Sequence, residues 1–205
     1  MLNTVELIGH YGGDITHSMS AWTSTHREIT PEKEARIDKL LNMLASEGHE
    51  TPFEKSMLHF VVTCDIASHI HFLKHRIGVS ANGESARYKE LKDDKYYTPV
   101  DWDEQELEFY TTFIEEAQSK YHNTLTRLLN KGFSKKRAKE SARFYLPYGT
   151  QITSDVSFNF RSFVHFQRLR NSEHAQLEIR QIAQEMLKQV KNLKDFDLSI
   201  KAFKL

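Results

Sequence analysis

The sequence predicts a helix-rich α+β fold with a small sheet, and two observations support this prediction. Several segments repeat apolar residues at the spacing of an amphipathic helix, whereas residues 57–65 alternate apolar side chains in the manner of a strand. The chain has 205 residues, the length of one ordinary domain, without an internal repeat or a low-complexity segment. We therefore expect one continuous domain over residues 1–205.

The first predicted helix follows a clear start signal. Thr30 precedes Pro31, and proline is favoured in the first helical turn because its missing N–H is not needed there. Apolar residues then recur at helical spacing until Gly48, which supplies a stop. The pattern predicts a helix over residues 31–48.

A strand and a short helix come next. Residues 57–65, MLHFVVTCD, combine alternation with β-branched side chains, and Asp65 is placed to cap a helix that reaches about residue 74. Residues 76–86 contain two glycines and no sustained period. We expect a loop there, and loops of this kind often carry chemistry.

The second half is predicted to be mainly helical. One apolar stripe predicts a long helix over residues 103–131, with Gly132 as its stop. Ser134 is placed to cap a further helix, which Pro147 ends.

The last part of the chain continues this alternation of elements. Residues 149–160 are rich in threonine, valine and phenylalanine, which predicts extended backbone toward their end. A helix is expected to begin near Arg161, and a last amphipathic helix is expected over residues 175–190.

Composition argues against several classes of protein. Lysine plus arginine total 28 and aspartate plus glutamate total 28, and this zero net charge argues against a nucleic-acid or membrane-surface protein. Cys64 is the only cysteine, which excludes an intrachain disulfide and fits a reducing cytoplasm. We see no signal peptide and no apolar run of about 18 residues, so we expect a cytoplasmic protein without a membrane span.

The densest polar cluster is a basic loop at residues 69–90, HIHFLKHRIGVSANGESARYKE. Backbone amides and hydroxyls of such a loop can bind phosphate oxygens, and guanidinium groups add charge-assisted hydrogen bonds. The alternative is an ordinary solvated basic surface, because a run of basic side chains often has no other role.

Eleven histidines raise the possibility of a metal site. His71 and His75 lie on one helical face, with His69 nearby, but no thiol or carboxylate occurs at matching spacing within the segment. Hydrogen bonding to a cofactor fits these histidines better than metal coordination.

Two further clusters contain polar residues in suggestive positions. Residues 48–55, GHETPFEK, connect a predicted helix to the predicted strand, and an ordinary connection is an equal alternative. In the segment 159–176, Arg161, His165 and Arg168 share one helical face by their spacing.

Together these residues resemble the flavin-dependent thymidylate synthases, the ThyX family. The family signature of an Arg-His-Arg triplet followed by serine, arginine and tyrosine is similar to KHRIGVSANGESARY at residues 74–88. The GHETPFE string and the later NFRS and HAQ strings also keep the family's order, so the resemblance covers about residues 48–180.

Three positions depart from the family pattern. Lys74 replaces the first arginine of the triplet, which keeps the charge and loses the planar fork of hydrogen-bond donors. His165 stands where asparagine is common, and the loop glutamate appears one place later than usual, as Glu84.

The resemblance implies a mostly antiparallel sheet and a defined reaction. Members of the family methylate dUMP to dTMP, with methylenetetrahydrofolate as carbon donor and hydride from FAD that NADPH reduces. The resemblance also implies a homotetramer whose subunits share active sites, with no nucleic-acid or membrane partner. Cys64 lies in an apolar strand pattern without a basic neighbour, so we expect a structural role for it and a mechanism without an enzymatic thiolate.

Individual site residues follow from the resemblance by position. FAD is assigned to polar residues of all three clusters: Thr51, Glu54, Lys74, His75, Arg76, Glu84, Asn159, Arg161, His165 and His174. The nucleotide is assigned to an overlapping set: His71, Lys74, Glu84, Ser85, Ala86, Arg87, Arg143 and Arg170. His49 is assigned to the folate side of the flavin.

Arg170 is the candidate catalytic residue in this assignment. Arginine does not give up its proton at ordinary pH, so it cannot act as a general base, but it can stabilise negative charge that develops on the uracil ring. Ser85 has no adjacent base in the sequence, so we assign its hydroxyl to substrate binding rather than to nucleophilic attack.

Two other functions remain as alternatives. A non-catalytic nucleotide or single-stranded nucleic-acid binding module could use the basic loop, although zero net charge counts against it. A histidine-rich metal hydrolase is the other alternative, and stoichiometric metal in the purified protein would support it.

Overall fold

Four strands pair into one sheet in the computed structural model, which describes residues 1–26 and 28–205. Within these residues the strands are β1 (Thr4–Tyr11), β2 (Met57–Asp65), β3 (Val79–Gly83) and β4 (Gln151–Phe158). Their order in the sheet is β1-β2-β4-β3, so β2 and β4 are central. The apolar face predicted for β2 is buried, since Leu58, Phe60, Val62 and Cys64 are all 0% exposed.

Nine α-helices occur in the same described residues. They are α1 (Asp14–Trp22), α2 (Pro31–Glu34), α3 (Ile37–Ser46), α4 (Ile66–Leu73), α5 (Glu104–Asn130), α6 (Lys135–Ala142), α7 (Phe160–Arg170), α8 (Leu177–Val190) and α9 (Asp197–Phe203). Single 3-10 turns span Thr51–Glu54, Arg143–Tyr145 and Lys194–Phe196. The predicted class, a helix-rich α+β structure with a small antiparallel sheet, is confirmed.

Contacts between residues divide the chain into two compact units. The first comprises Met1–Thr4, Thr63–Phe72 and Asn82–Ser154, and the second comprises Val5–Val62, Leu73–Ala81 and Asp155–Leu205. The first unit has its core between α5 and α6, where Tyr121 and Leu125 pack against Ala138 and Ala142. The alanines let the two helices approach closely, and Ser134 caps α6 by accepting a hydrogen bond from the amide of Arg137.

Phenylalanine rings fill the core of the second unit. Phe160 stacks on Phe196 with centroids 5.4 Å apart, and Phe53 meets Phe203 edge-on at 4.7 Å. Such offset and edge-on pairs add to the free energy gained from burying the ring area. This core joins α7 to the turn Thr51–Glu54 and to the C-terminal residues 194–203.

Several predicted elements differ from the structure. The predicted loop at residues 76–86 contains β3, an edge strand whose flanking residues bond to the β4 side: the amide of Glu84 donates to the carbonyl of Thr153, and the amide of Asn159 to that of Gly78. The sequence of β3, VSANG, has no alternation of apolar side chains, and the strand forms because backbone pairing alone is sufficient at a sheet edge. The single helix predicted over 31–48 is the pair α2 and α3, which are separate helices.

Further differences between the predicted and the observed elements concern one helix boundary and three elements that the sequence patterns did not predict. The helix predicted from Ser134 to Pro147 ends at Ala142 and continues only as a 3-10 turn. Strand β1 and helices α1 and α9 were not predicted. Within the described part of the chain, no helix combines the length and the apolar character needed to cross a bilayer.

The lone cysteine gives a simple test of this packing. Burial, helped by the charge of Asp65, raises the pKa of the Cys64 thiol, and only the thiolate reacts readily with disulfide reagents. We expect Ellman's reagent to detect no thiol in the native protein and one thiol per chain in guanidinium chloride. Rapid reaction of the native protein would contradict the buried position of Cys64.

Candidate functional site

A cavity of about 480 Å³ lies in the second unit between residues 74–79 and α7. Its wall contains five lysine or arginine side chains and, among the described residues that line it, one carboxylate, Glu50. The five cations are Lys74, Arg76, Arg161, Arg168 and Arg170. We call it the cationic cavity, and its excess of positive charge suits an anionic ligand.

Helix α7 supplies most of this wall because of its capping and its spacing. Asn159 begins the helix by accepting a hydrogen bond from the amide of Ser162 at 2.8 Å. Arg161, His165 and Arg168 follow at the spacing that places them on one helical face, and all three line the cationic cavity.

A tight backbone contact holds the opposite wall against the start of α7. Ser162 donates from Oγ to the carbonyl of Ile77 at 2.7 Å, and the amide of Asn159 donates to the carbonyl of Gly78 at 2.9 Å. Gly78 has φ of +66°, and a Cβ at this position would overlap Nδ2 of Asn159 and Oγ of Ser162. Only glycine therefore fits where the basic triplet 74–76 approaches α7.

Arg170 is oriented by a histidine of the triplet. Its Nε donates to Nε2 of His75 at 3.1 Å, so this imidazole nitrogen is unprotonated and accepts the hydrogen bond. His75 is buried, with its ring edge-on to His165 at 5.7 Å and to Phe166 at 5.1 Å. Burial lowers the pKa of the Arg170 guanidinium, but arginine still keeps its charge at ordinary pH.

Arg161 is held by two carboxylates from the segment 50–54. Its Nε lies 2.9 Å from Glu50 Oε2, and its Nη1 lies 2.5 Å from Glu54 Oε1. These hydrogen bonds, first to Glu54 and then to Glu50, hold the pKa of the Arg161 guanidinium above its ordinary value. Glu50 also lies 3.8 Å from Nη1 of Arg168, so it links both arginines of the helix face.

Some residues assigned to the flavin stand apart from the cavity wall. Glu54 and Asn159 contact lining residues, whereas Thr51 and His174 are exposed and do not line it. Glu50 and Arg168 do line it, although the sequence assignment did not include them. The signal for both was available, because Arg168 follows Arg161 by two helical turns and Glu50 belongs to the GHETPFE string.

The residues assigned to the nucleotide belong mainly to the first unit. Ser85 starts a turn in which its carbonyl accepts from the amides of Tyr88 and Lys89 at 3.0 and 2.9 Å. Arg87 on this turn donates from Nε to Oε1 of Glu140 at 2.5 Å. Glu84 fixes the base of the turn by accepting from the amide of Thr153 at 2.9 Å. Both basic side chains of the turn are ion-paired, Arg87 with Glu140 and Lys89 with Glu84, and the remaining donors of Arg87 suit a phosphate group.

The other assigned residues of this unit have simple surroundings. Ala86 lies on the same turn, Arg143 is exposed in the 3-10 turn after α6, and His71 is half-buried near the end of α4. His69, also on α4, shares a hydrogen bond between Nδ1 and Oγ of Ser154 at 2.9 Å. In the described part of the chain, no three His, Cys, Asp or Glu side chains are grouped to hold a metal ion.

Comparison with known proteins identifies relatives over most of the chain. A family model described as "Thymidylate synthase complementing protein" matches residues 6–193. A flavin-dependent thymidylate synthase of Pseudothermotoga lettingae is 33% identical over 186 residues, which cover 87% of this chain and 80% of the relative. One of Thermosipho africanus is 34% identical over 196 residues, with 87% and 82% coverage.

A solved structure is also similar. A UMP/dUMP methylase, PolB from Streptomyces cacaoi bound with 5-Br dUMP, superposes with a TM-score of 0.80 at 25% sequence identity. The match covers 98% of this chain and 94% of that one.

The close contact at Gly78 yields a prediction with a matched control. Gly78→Ala must accept both a left-handed backbone and an overlap with the start of α7, so we expect a loss of about 3 kcal/mol in unfolding free energy. Gly48 has φ of +73° with nothing within 4 Å of its Cβ position, so Gly48→Ala should cost about 1 kcal/mol. Urea denaturation measures both, and equal losses would show that the contact with α7 is not tight.

Proposed function

Because this chain belongs to the family of flavin-dependent thymidylate synthases, we propose that it methylates dUMP to dTMP with a bound flavin, FAD, as the hydride carrier. Methylenetetrahydrofolate is the proposed carbon donor and NADPH the proposed reductant. The observation that carries the proposal is the cationic cavity, because residues of the KHR and NFRS motifs, far apart in sequence, line it together.

The chemistry of the cavity wall fits FAD. A pyrophosphate carries negative charge that Lys74, Arg76 and Arg161 can neutralise, and guanidinium groups bind it through paired hydrogen bonds. Glu50 and Glu54 can accept hydrogen bonds from ligand hydroxyls. When bound, FAD supplies the hydride, and the residues of this chain bind and orient it.

Arg170 is proposed to activate the uracil ring. Since its Nε donates to His75, its terminal nitrogens are the ones that can donate to the O2 or O4 carbonyl of uracil. A fixed positive charge at that position stabilises negative charge developing on the ring, which makes the ring more reactive toward the carbon electrophile. No thiolate is needed for this step, which is consistent with the buried Cys64.

The turn at residues 84–88 is proposed to bind the phosphate of dUMP. PolB, a protein named as a UMP/dUMP methylase, was crystallised with a brominated dUMP, which supports a pyrimidine nucleotide as the substrate here. The ion pair between Arg87 and Glu140 keeps the guanidinium ordered before the phosphate arrives. Arg143 would complete the charge of this site.

Further properties are proposed from the sequence and the family resemblance. These are a single catalytic domain over residues 1–205, a homotetramer with shared active sites, a cytoplasmic location, and a folate position beside His49. A non-catalytic nucleotide or single-stranded nucleic-acid binding module is not favoured by the family membership.

One experiment tests the proposed function as a whole. Purified protein should show the visible bands of oxidised flavin, which NADPH bleaches under anaerobic conditions. Addition of dUMP and methylenetetrahydrofolate should restore the bands and form dTMP, and omission of either should prevent both changes. A protein that takes up no flavin on titration would contradict the proposal.

Substitution of Arg170 separates catalysis from flavin binding. We expect Arg170→Ala to lower kcat by about 100-fold or more, since a positioned donor to a developing charge is worth this much, while the FAD dissociation constant changes by less than about threefold. Arg170→Lys keeps the positive charge but loses the planar fork of donors, so its kcat should lie between that of the wild type and that of Arg170→Ala. Turnover and flavin fluorescence titration measure the effects, and equal losses in both would remove Arg170 from the catalytic role.

A further inference from the structure

Four buried polar side chains form a hydrogen-bonded network in the second unit, away from the cationic cavity. We call it the polar network. His17 is 0% exposed, with Nδ1 2.9 Å from Oγ of Ser199 and Nε2 2.7 Å from Oγ of Ser56. Ser199 in turn lies 2.5 Å from Oδ1 of Asp14. No motif in the sequence and no part of the proposed function uses these four residues.

The hydrogen-bond partners fix the direction of each proton in this polar network. The Asp14 carboxylate accepts from the amides of Leu198 and Ser199, each at 2.8 Å, and from the Ser199 hydroxyl. Since that hydroxyl has one proton and donates it to Asp14, it accepts from Nδ1–H of His17. Burial lowers the pKa of His17 to about 3, so the ring is neutral at ordinary pH. With the proton on Nδ1, Nε2 accepts from the hydroxyl of Ser56.

The polar network ends beside the two segments that carry the ion pair between Glu54 and Arg161. Ser56 follows the 3-10 turn Thr51–Glu54 by two residues. The His17 ring packs against Phe53 at 5.1 Å and against Phe160 at 5.5 Å. Phe53 immediately precedes Glu54, and Phe160 immediately precedes Arg161, so one imidazole contacts the neighbours of both members of the ion pair.

We propose that His17 is a positioning residue for the cationic cavity, which sets the distance between the turn Thr51–Glu54 and the start of α7. Through Ser56 and Phe53 it fixes the turn, and through Phe160 it fixes the helix, so that Glu54 and Glu50 meet Arg161. This inference rests on the proposed function in one respect, namely that the ligand of the cavity is FAD.

Three variants test the inference by fluorescence titration of flavin-free protein with FAD. His17→Phe keeps a ring between Phe53 and Phe160 but loses both hydrogen bonds, and we expect it to weaken FAD binding about tenfold. His17→Gln can donate to Ser199 and accept from Ser56 but loses the ring contacts with Phe53 and Phe160, so it should recover only part of the affinity lost in His17→Phe. Leu41→Ala changes a buried residue of α3 that is not part of the polar network, so it should lower Tm and leave the FAD affinity unchanged.

A double-mutant cycle locates the effect at the ion pair. Glu54→Gln alone is expected to weaken FAD binding about tenfold, and the double variant with His17→Phe should be weakened little further, because both changes act on the same contact. If His17→Phe does not fold, Ser56→Ala removes one of the two hydrogen bonds and replaces it in the cycle.

The outcomes are distinct. Wild-type affinity in His17→Phe, additive losses in the cycle, or an equal loss of affinity in Leu41→Ala would each overturn the positioning role while leaving the proposed function in place. Failure of the wild-type protein to bind FAD would instead overturn the proposed function together with the inference.

Discussion

Repulsion among positive side chains in a small space is the constraint on which the cationic cavity depends. The cationic cavity has five lysine or arginine side chains around about 480 Å³. Like charges in a small space repel one another, so such a wall needs counter-charges. Glu50 and Glu54 supply part of them at Arg161, and the remaining positive charge is left for an anionic ligand. The zero net charge of the whole chain is therefore a sum over separate local sites rather than a sign of an inert surface.

Local patterns predicted the helix that carries most of the cavity wall, because helical spacing alone places Arg161, His165 and Arg168 on one face. Other parts depend on contacts between residues distant in sequence. Strand β3 is defined by backbone bonding at the sheet edge, and its side chains carry no strand pattern. Glu50 gains its role only where the turn after α3 meets α7, about 110 residues further along the chain. The His17 network was equally invisible, since 182 residues separate His17 from Ser199.

Burial decides which chemistry is open to this chain. The Cys64 thiol lies at 0% exposure inside β2, where desolvation opposes the thiolate form. Arg170, at the end of α7, keeps its charge despite partial burial because a guanidinium holds its proton very strongly. For the proposed reaction, the fixed positive charge of Arg170 therefore fits better than a thiol nucleophile at Cys64. Electrostatic activation of the substrate, with reducing equivalents from a flavin, agrees with this distribution of burial.

One of the positions singled out in the sequence, residue 165, packs against the histidine that orients Arg170. The ring of His165 lies edge-on to that of His75, with the centroids 5.7 Å apart. His75 accepts the hydrogen bond from Arg170, so the side chain at position 165 contacts the group that orients the proposed catalytic arginine. The imidazole of His165 packs against the ring of His75 in an edge-to-face contact, which a side chain without a ring cannot make. The side chain at position 165 therefore helps to support the orientation of Arg170 without altering its charge.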